Sequence, residues 1–417
     1  MSEGPPPLDP IFRREVGPIV SGLTRWLGVG YLDVAEDAAQ DACYRALQRW
    51  KYDGVPRNPG AWLNQTARRR AIDLLRGDAG RLRRSAGAAE LDRLVGLEPS
   101  EGIALRGSSR DAQLRMMFSC CDAALPIRSQ VAVILKLLCG FGIREISNAY
   151  LESPAATKRR ISRAKAVIRG RGQLFDITPG IEWATRLRGV HTAIYLLFNE
   201  GYHGSHVDVA VRKGLCAEAA RLSFSLLERT DPEPSSLALA ALLCFHGARL
   251  DSRVSTDGQL ITLAAQDRSM WDRNLIVQGV KLLTGTTPAP ATTAFQLEAA
   301  IAGEHCMSPS YAQTPWRRIV DLYDALAEHD PSPIVRLNGA VALGELGDES
   351  GALLELELLT ASRRLADYPF LPAAIGELSG RVGDRTGARR HLARAISLAR
   401  NEQERASLQK RAEHWEC

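Results

Sequence analysis

From Arg144 to Arg169 the chain reads REISNAYLESPAATKRRISRAKAVIR. On a helical period, Ala155, Lys158, Arg159, Ser162, Arg163, Lys165 and Arg169 fall on one side. Thr157, Ile161, Ala164 and Ile168 recur at i, i+4, i+7 and i+11 on the other, the spacing of a packing stripe. A short amphipathic stretch with Ile143, Ile146 and Ala149 on one face precedes it. Leu151-Glu152-Ser153 makes the break, with Ser153 as N-cap and Pro154 in the first helical position. A helix with a packing side and a cationic side, presented by a partner helix, is a helix-turn-helix suited to duplex DNA. A solvated basic helix on a bundle would carry the same residues.

Two further stretches carry chemistry of the same kind. In DVAEDAAQDACYRALQRW, Ala35, Ala38, Ala39, Ala42 and Ala46 form a small-residue stripe, while Glu36, Asp37, Gln40, Asp41 and Tyr44 lie opposite. The acidic side is either a docking surface for a basic partner or a solvated face with acids near a helix N-terminus. After the Gly- and Pro-rich loop 51–60, Asn58 caps a helix, GAWLNQTARRRAIDLLR. Trp62, Leu63, Ala67, Ala71 and Leu74 supply its apolar side, and Gln65, Arg68, Arg69 and Arg76 project away. Cations for phosphates and planar groups for bases suit single-stranded nucleic acid; a core Trp beneath a basic surface is the plainer reading.

These stretches sit on a helical framework. Ala, Leu and Arg dominate the 417 residues and long alternating β-branched runs are missing, which predicts an all-α protein. Residues 1–175 hold 28 Lys/Arg against 18 Asp/Glu, a net of +10; the remainder nets −5. A polyanion therefore suits the front half alone. The eight cysteines form no CxxC pair, and the start, MSEGPPPLDP, has no basic-then-apolar signal pattern, so a reduced, cytoplasmic protein is expected. The most apolar run, Val131–Ile143, is too short for a membrane span and contains Lys136. Walker loops, dinucleotide fingerprints and nucleophile elbows are absent, so neither cofactor nor covalent chemistry is expected. The spacing predicts a disordered leader over 1–10, a helical module over 11–76, a linker over 77–110 and a second module over 111–172.

In this order the motifs AEDAAQDACYRALQRW, GAWLNQTARRRAIDLLR and REISNAYLESPAATKRRISRAKAVIR resemble the two conserved domains of bacterial sigma-70-family sigma factors, specifically the extracytoplasmic-function type. The resemblance covers roughly residues 11–171 and makes the first module region 2 and the second the region 4 helix-turn-helix domain. It implies that Asp37, Gln40, Asp41 and Tyr44 dock on core RNA polymerase. It places the melted −10 strand on the segment containing Trp62, Asn64, Gln65, Arg68 and Arg69. It places −35 duplex on Ala155, Lys158, Arg159, Ser162, Arg163 and Lys165. The family often has Val or Met where Thr157 stands, and Gly where Leu151 stands. The partners implied are core RNA polymerase and promoter DNA.

Behind this front half lie a helical extension over 173–310 and a repeat-like region over 311–417. Helices are expected at Ile181–Tyr202, Cys216–Glu228, Ser236–Arg249, Trp271–Leu283, Phe295–Cys306 and Trp316–Glu328. Gly347-Asp348 through Ala352 returns as Gly383-Asp384 through Ala388, a period of 36 that resembles tetratricopeptide helix pairs. The string FNEGY, Phe198–Tyr202, resembles the sigma-factor subgroup with a long helical C-terminal extension, which implies a regulatory module with an intramolecular or protein partner. Glu200, His203 and His206 carry donor atoms, with His191 a helix earlier, but lack an HExxH pattern, and ordinary loop hydrogen bonding is the expected use.

Overall fold

Alanine, leucine and arginine favour helix, and helix is what the chain forms. The computed structural model describes residues 8–77, 105–150, 152–171, 181–203, 211–228, 232–255, 259–286 and 292–415. Among them the β-structure is a single isolated bridge, Val254 with Leu260. The chain divides into two compact units, Met1–Leu197 and Phe198–Cys417.

The first unit starts with helices α1 (Leu8–Leu27), α2 (Leu32–Asp53) and α3 (Pro59–Gly77). Residues 8–10, expected in the leader, are the first turn of α1. The alanine stripe of α2 is fully buried, and its small side chains let α1 and α3 pack closely on it. On α3 the buried positions are Leu63, Ala67, Ala71 and Leu75, so the fourth contact is Leu75 and the expected Leu74 is only half-buried. Then come α4 (Leu105–Cys120), α5 (Ile127–Leu138), α6 (Ile143–Tyr150), α7 (Pro154–Arg169) and the front of α8 (Ile181–Tyr202). Most of the expected linker lies outside the described residues.

The sequence reads as two bodies on a tether, but the described helices of both lie in one compact unit. α1 packs on α4 and α5 as well as on α2 and α3. Gly17 permits this approach: a Cβ there would stand 2.3 Å from the Leu138 carbonyl oxygen. Arg13, also on α1, donates to Glu145 at 2.9 Å and to the Gly140 carbonyl at 3.3 Å, and lies over the Phe141 ring.

The second unit is a chain of helices, each packed on its neighbours: α9 (Lys213–Leu227), α10 (Pro234–Ala248), α11 (Arg273–Thr284), α12 (Ala294–Met307), α13 (Trp316–His329), α14 (Pro333–Glu345), α15 (Glu349–Leu359), α16 (Phe370–Arg381), α17 (Arg385–Ser397) and α18 (Glu402–Glu413). Phe245, fully buried, fills the space left by Gly279 and Gly303. The 36-residue repeat has a structural cause. Asp348 and Asp384 each cap the following helix, accepting from the Gly351 and Gly387 amides at 2.9 and 2.8 Å. Gly347 and Gly383 hold φ of 104° and 93°, a left-handed conformation that glycine adopts without steric cost. Ala352 and Ala388 are both fully buried where successive helices meet.

Candidate nucleic-acid interface

The 144–169 stretch folds as α6, a break at 151–153 and α7. Ser153 Oγ accepts from the Ala156 amide at 3.3 Å and Pro154 opens the helix. Thr157, Ile161, Ala164 and Ile168 are all buried, so the stripe faces the core. A local lock sets the start of α7. Glu152 accepts from the Thr157 hydroxyl at 2.8 Å and from Arg160 Nη2 at 2.7 Å. Hydrogen bonding from Arg160 holds the Glu152 carboxyl below the usual carboxylate range, against partial burial. A hydroxyl at 157 is therefore used, which accounts for threonine at a position where the resemblance expects an aliphatic residue.

The cations of α7 sort into two sets. Ala155, Lys158, Arg159, Ser162 and Arg163 are exposed. Lys158, Arg159 and Arg163 have no ion-pair partner among the described residues. Lys165 departs from the expected face. It is half-buried and pairs with Glu36 and, at 3.2 Å, with Asp33, both near the start of α2. Burial opposes its charge, but the two carboxylates outweigh that and raise it above the ordinary lysine value. Arg169 pairs with Asp33, and Lys136 of α5 lies 3.5 Å from Glu36. The base of α7 is thus clasped to α2, while the cations without an ion-pair partner among the described residues occupy its N-terminal two-thirds. The clasp links residues 129 or more positions apart, and local spacing gives no signal for it.

On α2, Asp37, Gln40 and Tyr44 are exposed, and Leu47 continues the same strip at 49% exposure. Asp41 is half-buried, bonded to Arg45 at 2.7 Å and 3.5 Å from Arg70. Glu36 is turned inward to Lys165, and Gln40 donates to it at 2.9 Å. Burial, then the nearby Glu36, raises the Asp37 carboxyl, with Lys165 opposing.

On α3, Asn58 accepts from the Ala61 amide at 3.2 Å, fixing the helix start. Gln65, Arg69 and Arg76 are exposed, and Asn64 is half-buried. Two expected base-contacting groups are already occupied by aromatic partners. Trp62 is half-buried, edge-on to Trp50 with centroids 5.3 Å apart, and Arg68 lies over the Trp26 ring at 5.1 Å. In the second unit Glu200 is buried and paired with Arg212, and His203 packs edge-on to Tyr202; His206 lies outside the described residues. Among the described residues no helix is long and apolar enough to cross a membrane.

Residues 11–81 match the family model for sigma-70 region 2, and residues 186–287 match a family of unknown function, DUF6596. An uncharacterized protein of Rhizobium meliloti is 37% identical over 386 residues, covering 92% of this chain and 90% of its own. The probable RNA polymerase sigma factor RfaY of Xanthomonas campestris is 34% identical over 164 residues, 37% of this chain and 40% of its own. No solved structure matches. The rhizobial alignment runs nearly the full length of both chains, so the two belong to one family, and the region 2 domain of this chain, with the likeness to RfaY, supports a sigma-70-family sigma factor with a role in transcription initiation.

Proposed function

We propose that this chain is a promoter-recognition subunit of the extracytoplasmic-function type, binding core RNA polymerase and reading a promoter at two places. The observation that carries the reading is the state of α7. Its packing stripe is buried, while Lys158, Arg159 and Arg163 stand exposed, with no counter-ion among the described residues, beside Ala155 and Ser162. Unpaired cations take phosphates, and the small and hydroxyl residues let the helix approach base edges of −35 duplex. The exposed Asp37–Gln40–Tyr44 strip, with Asp41, offers an acidic and apolar surface to a basic element of the polymerase. Gln65 and Arg69 supply the outward contacts to the melted −10 strand. Trp62, Asn64 and Arg68 line that segment, and Arg68 reaches DNA only by leaving the Trp26 ring. No covalent step is assigned to the chain. The helical second unit, with its tetratricopeptide-like helix pairs at 333–359 and 370–397, acts as the regulatory part through an intramolecular or protein partner.

The test is run-off transcription with purified core polymerase on a candidate promoter. The full chain is expected to support initiation. Lys158→Ala combined with Arg159→Ala is expected to lower −35-dependent output at least tenfold, since each lost phosphate or base contact weakens binding by about 1–3 kcal/mol. Full output from the double variant would refute the assigned face. DNA binding without any core-dependent transcript would instead make the chain a DNA-binding regulator.

A further inference from the structure

Within the second unit, a cleft of about 180 Å³ is lined by Arg249 and Arg253 behind α10, by the 260–263 segment, and by Phe370, Arg400 and Arg411. Two of these arginines are neutralised. Arg400 donates to Glu404 and Arg411 to Glu377, each at 2.8 Å. Arg249 and Arg253 have no carboxylate within ion-pair distance among the described residues. Arg249 is only 6% exposed, and its side chain makes one long donation, to Gln266 Oε1 at 3.4 Å. Arg253 lies 3.8 Å over the Tyr202 ring and donates to the Tyr202 carbonyl at 3.2 Å, leaving its buried Nε without an acceptor.

The excess of positive charge extends behind the cleft. Arg268 shares the Trp271 ring with Arg249, their guanidiniums 4.6 and 5.4 Å from its centroid, and among the described residues Arg268 also lacks a carboxylate and has a buried Nη2 without a partner. Burial, reinforced by these arginines, pushes His246 and His305 down to about 3, and the Nδ1 of each is buried without a hydrogen bond. The group is rigidly built. Trp271 Nε1 donates to Ser252 Oγ at 2.8 Å, and Ser252 donates to the Arg249 carbonyl at 3.0 Å. Buried cations without counter-charge are costly, and a fold that holds them in fixed positions is prepared for an anion.

We propose that this cleft binds a phosphate group, carried on a small molecule whose apolar or planar part lies against Leu260, Ile261 and Phe370. The guanidinium forks of Arg249 and Arg253, four residues apart at one side of the cleft, match the several oxygens and double charge of a phosphate better than the two oxygens of a carboxylate. The site stands independently of the transcriptional reading, because binding is measured on the isolated full chain.

Calorimetry and thermal melting would use inorganic phosphate, adenosine monophosphate, adenosine and potassium chloride at matched ionic strength. Heat and a raised Tm are expected with both phosphates and with neither control. Tighter binding of the monophosphate supports an organic ligand, and equal affinities assign the site to free phosphate. No response to either phosphate overturns the proposal. Arg253→Gln is expected to weaken binding about ten- to a hundredfold, the factor carried by one charge-assisted hydrogen bond, with helical circular dichroism unchanged. Undiminished binding by that variant would overturn the site. Should Arg253→Gln not fold, hydrogen exchange on the wild-type chain decides: phosphate must protect 249–263 and 398–411, and equal exchange with and without it refutes the proposal.

Discussion

Replacing Glu36 by Gln probes the clasp between α7 and α2. The Glu36 side chain is 8% exposed and that of Lys165 16% exposed, so the pair is largely shielded from water. Removing one partner of a fully buried pair costs about 3–5 kcal/mol, whereas exposed pairs contribute about 0.2–1 kcal/mol. In the variant Lys165 keeps Asp33, but that carboxylate is 44% exposed and is shared with Arg169. Lys136 loses its contact as well. The glutamine amide still fits the space and can bond Gln40. The expected loss falls between the two limits, at about 2 kcal/mol, or roughly thirtyfold in the equilibrium for releasing α7. Native-state hydrogen exchange of the α7 amides reads this directly. A double-mutant cycle with Lys165→Met should return a coupling of about 1–2 kcal/mol. If Glu36→Gln leaves α7 exchange within about 0.5 kcal/mol of wild type, or the two substitutions simply add, the clasp contributes nothing and the reasoning fails. If the clasp must open for both DNA-reading surfaces to reach a promoter, the same variant should bind promoter DNA more tightly in the absence of polymerase.

Two further outcomes follow from local geometry. Glu152 is held below its ordinary value of 4.5, so the stability it lends the turn is present above pH 4.5 and is lost as pH falls through the lowered folded value. Glu152→Gln should therefore cost about 1–2 kcal/mol at neutral pH and flatten the acid side of the stability curve below pH 4.5, measured by thermal melts from pH 7 to 3. Asp348→Ala and Asp384→Ala each remove a helix cap and should each cost about 1 kcal/mol, visible as a Tm lowered by a few degrees; a neutral Asp384→Ala would mean that the cap in the second repeat is idle.

Much of this was written in local order. Ser153, Pro154 and the 157–161–164–168 stripe specify a capped helix with one packing side, and Asn58 marks the start of α3 in the same way, because caps and periodicity act within a few residues. The repeat at 347 and 383 was legible for the same reason: a glycine, a capping aspartate and a small residue have fixed spacings on the chain.

Tertiary structure decided which charges remain free. Arg159, Arg163 and Lys165 look alike in sequence, yet only Lys165 meets Glu36, because α1 packs on α4 and α5 and carries α2 to the base of α7. Likewise nothing in the local sequence marks Arg249 and Arg253, and only folding sets both beside a cleft with no carboxylate in ion-pair distance of either among the described residues. Helix and cap are set by neighbours in the chain; pairing depends on where distant side chains end up, and no local period encodes that distance.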